Sequence, residues 1–155
     1  MKPANGNGAN LPLKITMVLL LLFFFFGILF SVIHGMELVG YSGQAVADYY
    51  RGNEEHLIYP KEKSQLMEST HVHIFVIPLI FYFFCHLFVQ TALTTKWKIA
   101  VISFTFVNIT GFLIAPYIIR YLSPACAFML PLHHVLFIIT AAILTVYPLW
   151  ETFRR

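Results

Sequence analysis

The stretch MVLLLLFFFFGILF at residues 17–30 contains no charged and no hydrogen-bonding side chain. Extended to residues 15–34 it gives about 30 Å of helix, the thickness of a bilayer's hydrocarbon core. Three more segments meet the same requirement, at residues 72–93, 99–119 and 127–149. Between them lie one long polar loop, residues 35–70, and two short connections, residues 94–98 and 120–124. Connections this short make neighbouring helices antiparallel and adjacent. The expected fold is an all-α membrane protein, a four-helix up-down transmembrane bundle with a partly helical outer loop between its first two helices. Residues 1–155 form one integral membrane domain.

Composition supports this from an independent direction. Of the 155 residues 59% are hydrophobic and 11% charged, and mean hydropathy is +0.75. A soluble domain carries about a quarter of its residues as charges, so a water-soluble globular fold is excluded. An aromatic content of 17% excludes disorder. The first apolar run is also no cleaved signal. It reaches or exceeds the usual apolar core of about 7–15 residues, and the small-residue triplet Ala45-Val46-Ala47 lies far beyond its end. Two cysteines do not make a disulfide scaffold. Cys85 and Cys126 fall at different depths and read as unpaired small hydrophobes.

The charges give an orientation. Lys2, Lys14, Lys96, Lys98, Arg154 and Arg155 fall on one side of four spans, and Arg51, Lys61, Lys63 and Arg120 on the other. Excess Lys and Arg marks the cytoplasmic side, which puts both termini there. Glu37, Asp48, Glu54, Glu55, Glu62 and Glu68 all lie in the outer loop, and Glu151 alone lies inside. The net charge of +3 is thus a topology signal, and nucleic acid is not an expected partner. Within the loop, Ser42 caps a short helix carrying Val46, Tyr49 and Tyr50 and ending near Gly52. It is expected to lie on the bilayer surface. Ser64 starts the second membrane helix early.

Seven histidines in so apolar a chain need a reason. His34, His71, His73, His133 and His134 come from three helices and gather in the outer half, whereas only His86 lies toward the inner side and His56 is in the loop. Ionisable groups inside a membrane are costly and mark function by default. Neutral imidazole ligates haem iron, copper or zinc. On the first helix Gly27, Ser31 and His34 share a face, leaving room for a macrocycle. Arg120 and Arg51 are placed to meet haem propionates, as Arg favours bidentate carboxylate contacts. A helix-end histidine also simply reaches interfacial water. What speaks for a site is the clustering, since no comparable set appears at the inner ends.

The spacing favours one haem over two. His73 and His86 are about 220° apart on a straight helix, and His71 and His86 about 60°. Pro78 between them permits a kink. Tyr147 occupies the place where the fourth helix would partner His86. His86 is expected to hydrogen-bond to Asn108 or Tyr82, and Asn108 and Thr105 to join helices across the bundle.

In architecture the chain resembles the four-helix membrane b-type cytochromes: four spans, termini inside, histidines on helices one, two and four. The cytochrome b561-like pattern has ligands for two haems, one near each face, and this sequence lacks a complete inner pair. With the one-sided histidine cluster, the expectation is one haem b near the periplasmic side of a bacterial inner (cytoplasmic) membrane. Its ligands would be His71 or His73 with His133 or His134, and His34 would be the substitute. The resemblance also implies electron transfer within a respiratory complex, with other membrane or periplasmic redox subunits as partners. Two rivals stand beside it. One is a copper or zinc site on His71, His73, His133 and His134 with Glu37 or Glu68, or a quinone site without metal. The other is a structural accessory subunit.

Overall fold

Lipid offers no hydrogen bonds, so a chain this apolar crosses a bilayer only if each segment satisfies its own amides. The computed structural model describes residues 10–154 and is helical almost throughout. Its helices are α1 (Asn10–Val39), α2 (Gly43–Arg51), α3 (Lys63–Val89), α4 (Thr95–Tyr117) and α5 (Met129–Arg154). Lys2 and Arg155, two of the charges used for orientation, lie outside the described residues. Four stretches are long and apolar enough to span a membrane: Lys14–Val39, Lys63–Val89, Thr95–Leu122 and Pro124–Arg154. They run longer than their apolar cores. α3 begins at Lys63 because Glu62 and Gln65 form a reciprocal capping box.

α5 packs against all three other spans, α3 pairs with α4, and α1 rests chiefly on α5. The core joins Leu21 of α1, Phe81, Phe84 and Phe88 of α3, Ile109 of α4, and Phe137, Ala141 and Leu144 of α5. Phe23 and Phe30 are more than 70% exposed, which a helix tolerates because lipid tails are as apolar as the core. Phe24 turns inward onto Phe84, with ring centroids 5.9 Å apart.

α2 has the expected ends. Ser42 Oγ accepts from Ala45 N at 3.0 Å, and Gly52 closes the helix at φ +84°. Its apolar face does not lie on the bilayer, however. Val46, Ala47 and Tyr50 are buried against Leu66, Ala115, Ile119, Ala127 and Leu130 at the end of the bundle. That end offers a protein surface of matching shape, and burial there pushes the Tyr50 phenol pKa up, with Tyr49 adding to the shift.

The connection expected at residues 120–124 is ordered. Pro116 lacks an N–H, and the helix beyond it widens into a π-turn, Ile118–Leu122, with Ser123 N donating to Ile118 O at 3.0 Å. Ser123 then caps the 3-10 turn Pro124–Phe128.

At the opposite face, where α1 begins and α5 ends, the α3–α4 turn is held from both neighbouring helices. Lys98 Nζ donates to Val89 O at 2.7 Å and to Thr91 O at 2.6 Å. Glu151 Oε2 accepts from Ala92 N at 2.7 Å. A cation on the last carbonyls of a helix is favourable both by hydrogen bonding and by the helix dipole. Lys98→Met is therefore expected to lower stability by about 2 kcal/mol, with Lys98→Arg recovering part of it. Denaturant titration of the lipid-reconstituted protein measures this.

Candidate functional site

His133 and His134 are neighbours on α5, so their side chains leave the helix about 100° apart and must meet different partners. Both point inward. His133 faces α4, where its Nδ1 lies 2.6 Å from Asn108 Oδ1, while Asn108 Nδ2 donates to His133 O at 3.5 Å. Because the amide's donor end is turned to that carbonyl, the oxygen is the atom facing the ring. An amide oxygen only accepts, so Nδ1 carries the proton and Nε2 keeps a lone pair. The ring fills the space above Gly111. A Cβ added there would lie 2.4 Å from His133 Cε1 and 2.6 Å from Nε2.

His134 turns toward α1 instead. Its ring is in van der Waals reach of the place where a Gly35 Cβ would stand, 3.5 Å from Cε1. On its other side it meets Phe112, with centroids 5.4 Å apart. His73 of α3 packs on the same Phe112, at 6.1 Å. Its Nδ1 lies 2.7 Å from Ser69 O, an acceptor only, so here too the proton is on Nδ1 and Nε2 is left as acceptor.

The structure therefore brings three of the five clustered histidines inward and leaves two outside. His34 is exposed on α1, and its expected companions Gly27 and Ser31 are exposed with it. His71 is exposed and touches only Phe75 of its own helix, at 5.5 Å. His86 is exposed and tilted over Tyr82 at 6.0 Å; Asn108, its other expected partner, is committed to His133. Thr105 bonds its own Val101 carbonyl and makes no bond across helices. Both arginines donate to backbone carbonyls. Arg51 Nη1 donates to Ile119 O at 3.1 Å and Arg120 O at 3.2 Å, and Arg120 Nε to Lys61 O at 3.0 Å. Both arginines close the carbonyls freed by the π-turn and the loop beside it.

A bis-histidine haem needs two imidazoles facing each other across one iron, with the macrocycle between helices. The donors suit it, because an oxygen on Nδ1 with Nε2 free is how ligating imidazoles are usually held. The Phe112 ring packs on His73, on His134 and on Phe137, with centroids 6.1, 5.4 and 5.2 Å away, and so takes up space beside both imidazoles. Among the described residues no three His, Cys, Asp or Glu side chains come together around a possible metal position.

One opening does reach this region. A groove of about 490 Å³ runs along the outside of the α4–α5 seam, lined by Phe106, Val107, Thr110, Gly111, Ile114, Ile118 and Met129. His133 lies one turn along α5 from Met129, behind Gly111. The groove wall is apolar and faces lipid, and the imidazole behind it is only half-buried.

Fold and site together define an all-α, multi-pass membrane protein with an internal histidine–asparagine pair. Residues 40–155 match the model of the Aq_1264_TM transmembrane helical domain, and the chain belongs to that family. The match takes in α2 to α5, and so His73, Asn108, Gly111 and both inward histidines of α5, but not α1 with Gly35. Searches of curated proteins and of solved structures returned no match.

Proposed function

We propose that the protein is an electron-transfer subunit of a bacterial inner-membrane complex, with both termini cytoplasmic, and that it holds a quinol at the His133–Asn108 pair. The observation that carries this reading is His133 Nε2, an acceptor oriented by Asn108 and packed over Gly111, a residue that also lines an apolar groove. A quinol arrives through lipid and needs three things from a protein: an apolar slot, a hydrogen-bond acceptor for its hydroxyl, and a group able to take the proton. Groove, Nε2 and imidazole supply them in that order. Asn108 keeps the ring in the accepting tautomer. The charge asymmetry across the membrane supports the orientation.

Lipid extraction of the purified protein tests the reading. Wild type is expected to release about one benzoquinone or naphthoquinone per chain above the lipid background, and His133→Leu none. Equal yields from both would end it. A second reading rests on donor chemistry: a haem b using His73 with His133 or His134. An absorption spectrum of protein made with haem supplied separates the two, since only the haem reading gives a Soret band.

A further inference from the structure

The loop between α2 and α3 displays large apolar side chains from a rigid frame. Asn53 and Ile58 exchange both backbone hydrogen bonds at 2.9 Å, closing a tight hairpin. The Asn53 side chain braces it from inside, accepting from Glu55 N at 2.9 Å and donating to Asp48 Oδ2 at 3.0 Å. At its base Gly52 takes φ +84°, where a Cβ would lie 2.8 Å from Pro60. Within this frame Leu57 is held at φ 55°, a left-handed conformation that a leucine rarely adopts. It is 84% exposed, and Tyr59 is 87% exposed.

These residues stand above the lipid. α3 has 27 residues, about 40 Å of rise, and its apolar part at residues 70–89 accounts for about 30 Å. Residues 63–69 therefore project about 10 Å beyond the hydrocarbon, past most of the headgroup layer. The hairpin joins α3 at that outermost end, where Lys61 N bonds Tyr50 O at 3.1 Å. Glu54, Glu55 and His56 at its tip are exposed as well, and carboxylates so close to Leu57 oppose insertion into a membrane.

The geometry points to residues 53–59 as a docking element for a protein partner on the α2 side of the membrane. Leu57, Ile58 and Tyr59 fill an apolar socket, and Lys or Arg on the socket's rim meet Glu54 and Glu55. Backbone strain kept in a fully braced loop, spent on exposing a leucine, is a feature of recognition segments. Tyrosine is among the residues enriched at interface hot spots.

The test replaces Tyr59 with photo-reactive p-benzoylphenylalanine in the full chain and irradiates intact native membranes. One protein adduct is expected, other than this chain itself. Its yield should fall at least about tenfold on adding Leu57→Glu and decline as salt rises. Leu57→Gly, which suits φ 55°, should leave the melting midpoint unchanged or higher and still lose the adduct. Adducts with lipid only, an adduct with a second copy, no adduct, or one indifferent to Leu57→Glu would each overturn the assignment.

Discussion

Gly111→Val is expected to lower the stability of the reconstituted protein by roughly 3 kcal/mol and to abolish quinol retention. The first added atom would already stand 2.4 Å from His133 Cε1. Any retreat of the ring acts against the Asn108 contact that holds it at 2.6 Å. Either the α4–α5 seam opens or the imidazole swings out and leaves its buried hydrogen bond unmade. Gly111→Ala should show the same loss to a smaller degree. Ordinary helix propensity predicts the opposite sign, since alanine is better than glycine in a helix by about 1 kcal/mol. Gly27→Ala is the internal control: nothing lies within 4 Å of its added Cβ, so there the propensity gain should appear. Denaturant titrations of the three variants separate steric cost from propensity.

Asn108→Leu carries the second large effect. Leucine has the same branching but offers no acceptor, so His133 Nδ1–H loses its partner at a part-buried position. The stability cost is about 1–3 kcal/mol. The functional cost is distinct. Without the amide oxygen nothing fixes the tautomer, and Nε2 is no longer committed to accepting. Quinol binding should weaken by at least about tenfold, equivalent to 1.4 kcal/mol. If binding were unchanged while stability fell, Asn108 would be packing only.

Much of the fold was legible because bilayer thickness converts apolar length directly into spans. Ser42 and Gly52 likewise marked α2, since a cap and a left-handed terminator are local chemistry. The rotation of each helix was not legible. In a water-soluble helix the polar face shows which side is out, but α1 and α3 are apolar all round. Thus Gly27, Ser31 and His34 shared a face as expected, and that face turned outward, leaving Gly35 to meet His134. Asn108 was recognisable as a polar group joining helices. Its partner depended on the register of α4 against α5, which the π-turn after Pro116 sets. Phe112 was one phenylalanine among 16, with nothing local to mark it as the ring that packs on two histidines.

In the proposed function His133 presents an oriented acceptor to a quinol hydroxyl. Nitrogen-15 NMR of histidine-labelled protein in bilayers, titrated with a short-chain quinol, tests it most directly. The account predicts a protonated Nδ1 and an unprotonated Nε2 at His133 in the free protein. On titration, Nε2 should move saturably toward a hydrogen-bonded value, and Asn108→Leu should remove the response. A protonated Nε2, or an Nε2 resonance that does not respond to quinol, would contradict it.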